Sequence, residues 1–177
     1  MNEKIICAGF GGQGIMLMGK LLAQAGMSLG YYVTWLPSYG AEVRGGTAHS
    51  MVHISDREIA SPTILKPTTC IIMNQPSLVK FMDRIEKNGF LMVNTSMAKE
   101  IVEKKALRIA AFPLTKLASE LGNIKVANMI AVGALIRLKK IFPLKNALDE
   151  LDKVLPLKKE LMAVNKKAIK LGYELAA

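Results

Sequence analysis

The chain has 177 residues, 51% of them apolar, and a formal net charge of +10. That length suits one domain with a proper core, and that composition excludes a disordered polymer. The longest wholly apolar run, residues 129–136, is far too short to span a bilayer, and with glycines and Gln13 breaking the run from Ile5 the N-terminus does not read as a signal peptide.

In chain order, residues 4–8 read as a first β-strand. Ile15, Met18, Leu22, Ala25 and Leu29 recur at helical spacing, and Gly30 suits the end of that helix. Residues 31–36 read as a second strand, stopped by Pro37. Thr47–Ser55 reads as a strand with residues 57–60 as a shorter return, a hairpin around Ser55-Asp56. Residues 70–73 and Phe90–Asn94 are apolar strands separated by a helix over 78–87. Residues 107–112 form another strand, ended by Pro113, and a helix over 114–121 follows. Residues 126–140 are apolar on almost every face, so that helix is either central or docked against another subunit; in the second case the isolated chain would form a homodimer through residues 126–136. Pro143 and Pro156 open two shorter amphipathic helices. Strand, glycine-rich turn, helix, strand is the opening of a doubly wound α/β fold, so a Rossmann-like, mostly parallel sheet with a β-hairpin insertion and C-terminal helices is expected. No linker divides the chain, so residues 1–177 are expected to form a single domain.

Two glycine-rich stretches carry the candidate chemistry. Gly9-Phe10-Gly11-Gly12-Gln13-Gly14 lies between the first strand and the first helix, where backbone amides and the helix N-terminus favour an anion. A nicotinamide site would add an acid at the end of the second strand. Thr34-Trp35-Leu36-Pro37 offers none, so the usual NAD contact is not expected, and a tight packing turn or a backbone contact to a ligand remain. Tyr39-Gly40-Ala41-Glu42-Val43-Arg44-Gly45-Gly46 places a carboxylate and a guanidinium among three glycines. A backbone there can lie close to a ligand, and the arginine fork suits carboxylate or phosphate. Glu42 and Arg44 either pair at the surface or face a cleft shared with the first loop. The two loops stand about 30 residues apart, one strand–helix–strand unit, so both can lie at one end of the sheet.

His49 and His53 share strand parity and project from one face; a polar sheet face is the simpler reading and a metal site the sharper one. Asn128 inside the apolar helix is either a satisfied core or interface amide or a catalytic group. Cys7 and Cys70 sit in separate apolar runs. They cannot build a zinc or iron–sulfur site from this chain alone, and buried thiols in a reducing cytoplasm are expected. The lysines near the C-terminus (Lys139-Lys140, Lys158-Lys159, Lys166-Lys167, Lys170) are either a solvated helix face or a docking face for an acidic partner; scarce aromatics argue against nucleic acid. No nucleophile, base or carboxylate pair can be placed. Ligand-type loops without a reactive group read as a subunit of a larger enzyme.

The residues resemble the gamma subunits of the 2-oxoacid:ferredoxin oxidoreductases. The resemblance rests on Gly9 to Gly14, on Ser38 to Gly46, on Ile59-Ala60-Ser61-Pro62, and on Asn128-Met129-Ile130 with Gly133-Ala134-Leu135, in the family's order. Thr47-Ala48-His49-Ser50 after Arg44-Gly45-Gly46 looks most like the 2-oxoglutarate (2-oxoglutarate synthase) branch. The resemblance implies a cytoplasmic complex that oxidatively decarboxylates a 2-oxoacid with thiamine diphosphate and Mg2+. The acyl group passes to coenzyme A, and electrons pass through iron–sulfur clusters to ferredoxin. It implies alpha, beta and delta-type subunits as partners, no membrane and no nucleic acid, and no cofactor held by this chain alone. The implied ligand-contact residues are Gly9, Gly11, Gly12, Gln13, Gly14, Tyr39, Gly40, Glu42, Arg44, Gly45 and Gly46; none is implied to be catalytic or to bind metal. Lys66-Pro67-Thr68-Thr69 departs from the family pattern, in which an acidic residue is common there.

Overall fold

Strand β1 (Asn2–Phe10) sends Ile5 and Cys7 to one side and Ile6 and Ala8 to the other, all fully buried. Apolar alternation on both faces requires cover on both, as in a central strand. The computed structural model, which describes residues 1–39, 47–100, 106–155 and 159–177, puts β1 in the middle of one six-stranded sheet. The order is β2-β3-β1-β4-β5-β6, with β2 at Tyr32–Ser38, β3 at Thr47–Ser55, β4 at Thr69–Ile72, β5 at Phe90–Asn94 and β6 at Arg108–Phe112. β1, β4, β5 and β6 run parallel, and β3 is antiparallel to both β1 and β2.

One face is covered by α1 (Ile15–Met27), α3 (Leu114–Glu120), α4 (Ala127–Lys139), α5 (Leu144–Val154) and α6 (Lys159–Leu175). The other is covered by α2 (Gln75–Phe81) and the irregular crossover that carries Ile64. This is the mixed α/β, mostly parallel sheet with C-terminal helices that the sequence implied.

Four details differ. β2 runs through Pro37 to Ser38. It is an edge strand, where a proline's missing N–H costs no ladder bond. Residues 57–60 form no return strand, because β1 and β2 already occupy both edges of β3. The helix expected over 78–87 starts at Gln75, since the Asn74 side chain caps it by accepting from the Ser77 amide at 3.0 Å; a short 3-10 turn over Met82–Arg84 replaces its second half. The final helix, α6, is the longest of the described helices rather than a short one, and Pro156 lies outside the described residues.

Helix α4 is internal. Every residue from Ala127 to Ile136 is buried, against the sheet and α6. The alternative of a subunit interface along this helix is thereby set aside. At the α4–α6 crossing, a Cβ on Gly133 would overlap the Ile169 carbonyl oxygen and one on Gly172 the Ile130 carbonyl oxygen. Only paired glycines allow the two backbones so close. No helix among the described residues is long and apolar enough to cross a membrane.

Candidate functional site

The first glycine loop leaves the carboxyl end of β1, beside the ends of β4 and β5, where parallel sheets bind ligands. Gly12 and Gly14 hold φ values of +96° and +70°, a region that disfavours side chains. Gly14 is also pressed on Asn128: a Cβ there would overlap the amide. Asn128 Nδ2 donates to the Gly14 carbonyl at 3.1 Å, and its Oδ1 accepts from the Met129 amide at 2.9 Å. Asn128 is therefore the satisfied core amide of the two readings, and it fastens α4 to the start of α1.

Gln13 lies across the loop as a tie. Its Oε1 accepts from the Phe10 amide at 2.9 Å and its Nε2 donates to the Met73 carbonyl at 3.0 Å, at the end of β4. Gly9 must lack a Cβ because Gln13 and Ile15 fill that space. Gly11 and Gly12 face open space instead. The loop thus has a packed side, made by Gly9, Gln13 and Gly14, and an open side at Gly11 and Gly12. The packing turn is present at Gly9, Gln13 and Gly14, and Gly11 and Gly12 leave backbone open beside it.

The open side borders a cavity of about 300 Å³. Phe10, Gly12, Met73 and Met97 form its apolar wall, with Ile124 and Ala127 opposite. Its polar groups are Gln13, the Thr115 hydroxyl and Lys125, which forms no ion pair among the described residues. Behind the lining, buried Asn94 holds Thr115: Nδ2 donates to Thr115 Oγ1 at 2.8 Å, and Oδ1 accepts from the Thr115 amide at 3.3 Å. Sequence reading missed Asn94, Thr115 and Lys125. Asn94 ends an apolar strand and Thr115 lies in the first turn of α3, 21 residues further on; that sequence spacing hides their contact.

Tyr39 is 73% exposed. Gly40, Glu42, Arg44, Gly45 and Gly46 lie outside the described residues. The residues that flank them are at the same end of the sheet as the glycine loop, since Thr47 is opposite Phe10 and Ser38 is opposite His49. β3 lies between β1 and β2. The end of β2 is therefore two strands, roughly 10 Å, from the glycine loop, and a ribose-binding acid there could not serve the usual NAD geometry.

His49 and His53 share the face of β3 that also carries Met51, as expected. Their rings are engaged separately: His49 lies tilted against Phe81, with ring centroids 5.1 Å apart, and His53 Nε2 meets Asn2 Oδ1 at 2.7 Å. Burial, then Lys80 and Arg84, hold His49 below its ordinary pKa; burial and Lys4 do the same for His53. Among the described residues no cluster of three or more His, Cys, Asp or Glu could hold a metal. Cys7 and Cys70 are free and buried, and burial raises both thiol pKa values, that of Cys70 to about 12. The described site offers a shaped apolar space, open backbone and one ammonium. It can bind and orient a ligand, and it holds no group placed to attack one.

The sequence pattern of the family described as pyruvate ferredoxin/flavodoxin oxidoreductase matches residues 4–175. The chain belongs to this family. A 2-oxoglutarate synthase subunit KorC of Methanocaldococcus jannaschii is 34% identical over 185 residues, covering 99% of this chain and 95% of that one. A ketoisovalerate oxidoreductase subunit VorA of Methanothermobacter marburgensis is 37% identical over 135 residues. That match covers 76% of this chain and 28% of the VorA subunit, so the chain spans well under half of that relative. In structure, the keto/oxoacid ferredoxin oxidoreductase gamma subunit of Geobacter sulfurreducens superposes with a TM-score of 0.84 at 26% identity, covering 98% of each chain. All three of these relatives are described as subunits of oxidoreductases.

Proposed function

We propose that the chain is the gamma subunit of a cytoplasmic complex that oxidatively decarboxylates 2-oxoglutarate to an acyl-coenzyme A and CO2, with ferredoxin as electron acceptor. The observation that carries this is the end-to-end likeness to a 2-oxoglutarate synthase subunit, over 99% of this chain. Alpha, beta and delta-type subunits would hold thiamine diphosphate, Mg2+ and the iron–sulfur clusters, which supply the carbanion and electron chemistry. Two separated, buried thiols suit that division.

The part left to this chain is positioning. The carboxyl-end cavity fits an uncharged arm of coenzyme A along Phe10, Met73 and Met97, with Lys125 as counter-charge to a phosphate. Its volume of about 300 Å³ suits a portion of such a molecule only, so other subunits would complete the site. Gly11 and Gly12 would approach the ligand through backbone. Glu42 and Arg44, outside the described residues, would be further ligand contacts through a carboxylate and a guanidinium.

The test is reconstitution. Complexes purified with and without this chain are assayed for coenzyme A-dependent reduction of ferredoxin by 2-oxoglutarate. Activity should require the chain; full activity in its absence would refute the assignment. The likeness to a ketoisovalerate oxidoreductase subunit favours a second reading, a branched-chain 2-oxoacid as substrate, and the same assay decides it by the preferred 2-oxoacid.

A further inference from the structure

The Asn94 carboxamide, at the carboxyl end of β5, has its orientation fixed by backbone. Its Oδ1 accepts from the Ser96 and Thr115 amides, both at 3.3 Å, and its Nδ2 lies 3.4 Å from the Met73 carbonyl. Turned end for end, the NH2 would face N–H donors and the oxygen would face a carbonyl, on a residue with no exposure to water. Nδ2 is therefore the atom that meets Thr115 Oγ1 at 2.8 Å, and it can only donate.

That direction decides what Thr115 can do. A hydroxyl has one proton to donate and lone pairs to accept with. Thr115 Oγ1 accepts the Asn94 proton, and among the described residues its own proton has no acceptor. Thr115 stands in the wall of the cavity of about 300 Å³, so that proton is available there. The neighbouring polar groups divide in the same way. Both ends of the Gln13 amide are used, on the Phe10 amide and the Met73 carbonyl. The Met73 carbonyl already takes Gln13 and Asn94. Lys125 can only donate, and it forms no ion pair among the described residues. The polar side chains of the cavity thus hold two unused donors, Thr115 and Lys125, and no unused oxygen or nitrogen acceptor.

We propose that Thr115 donates its hydroxyl proton to an anionic oxygen of the ligand in this cavity, and that Asn94 is the positioning residue that keeps the proton turned toward the ligand. A phosphate or carboxylate oxygen accepts and does not donate, which matches a wall of donors, and hydrogen bonds to charged groups are the strong ones. A ligand hydroxyl or N–H in the same place would lose its own acceptor, at a cost. The proposal rests on the reading above in taking the oxidoreductase complex as the setting; the source of the oxygen, coenzyme A phosphate or 2-oxoacid carboxylate, is read by the test.

The experiment is steady-state kinetics of the complex reconstituted with variant chains, varying coenzyme A and 2-oxoglutarate in turn. Thr115→Val keeps the shape and removes the donor. Asn94→Asp keeps both groups and reverses the direction, because a carboxylate only accepts and draws the Thr115 proton inward. Each should raise one KM at least roughly tenfold, with kcat less affected. Thr115→Ser restores the hydroxyl and should recover most of the loss. A raised KM for coenzyme A identifies a phosphate oxygen. A raised KM for 2-oxoglutarate identifies a carboxylate, which keeps the Thr115 donor and refutes the placing of coenzyme A in this cavity. Unchanged KM values in Thr115→Val, no recovery in Thr115→Ser, or a loss in kcat alone would overturn the proposal. Lys125→Gln raising the KM for coenzyme A beside a silent Thr115→Val would overturn it while the coenzyme A reading stands. Circular dichroism and co-purification with the other subunits verify that each variant is folded and assembled; if Asn94→Asp fails there, the Thr115 pair decides.

Discussion

Gly133 and Gly172 carry the sharpest demand on residue identity. Each faces the backbone of the opposite helix, which cannot give way as a side chain could. Gly172→Ala should therefore destabilise the fold by about 3 kcal/mol, at the upper end of overpacking costs. Denaturant unfolding measures this, and a change within about 0.5 kcal/mol, typical of a surface position, would show that the helices part easily. The histidines make a second prediction at this scale. Both fold with pKa values below the ordinary one, so the unfolded chain binds their protons first. Their contribution to stability is present above about pH 6.5, the unfolded value, and is lost as pH falls through the lower folded values. Stability should fall between pH 6.5 and 5, roughly the window in which histidine charges, and His49→Phe should flatten that slope. An identical slope in the variant would place the acid sensitivity elsewhere.

At the scale of elements, the unit to consider is β1, the glycine loop and α1. Local sequence shows the turn, but its shape is held from outside, by Met73 through Gln13 and by Asn128 of α4. Asn128→Ala removes a buried hydrogen-bonded amide and should cost about 1–3 kcal/mol. Hydrogen exchange should show the first turn of α1 loosening more than the centre of the sheet, and uniform loosening would contradict the fastening role. The same element explains the expected lack of tight NAD binding. Calorimetry of the purified chain should show no micromolar affinity, which would correspond to about −8 kcal/mol. Micromolar binding would mean that the loop holds dinucleotides without the neighbouring second strand.

For the whole molecule, the packing of α4 between the sheet and α6 has a direct consequence. Ala134 is fully buried, so Ala134→Arg should abolish cooperative folding rather than only separate subunits. A folded variant that fails to assemble would return the helix to the interface. The two thiols follow from the same core. With pKa values raised by burial, that of Cys70 to about 12, neither should react with a thiol reagent at pH 8 until the chain unfolds. Rapid labelling of the native chain would show that the sheet opens locally.

Much of this was legible in the residues. The two-sided apolar runs of residues 4–8, 70–73 and Phe90–Asn94 announced buried parallel strands, and glycines before a helical repeat announced the loop. These signals are local: side-chain periodicity and backbone freedom act within a few residues. The sequence also carried the family, through motifs spread over the chain. What it could not decide were questions of neighbour. A uniformly apolar helix reads the same in a core or in an interface, and the contacts of Gly133 with α6 settled it. Pro37 reads as a stop until β2 is known to be an edge. The insertion of β3 between β1 and β2, the tie from Gln13 to Met73, and the meeting of Asn94 with Thr115 join residues far apart in the chain. Their pairing energy depends on which surfaces face each other, and only the folded sheet fixes that.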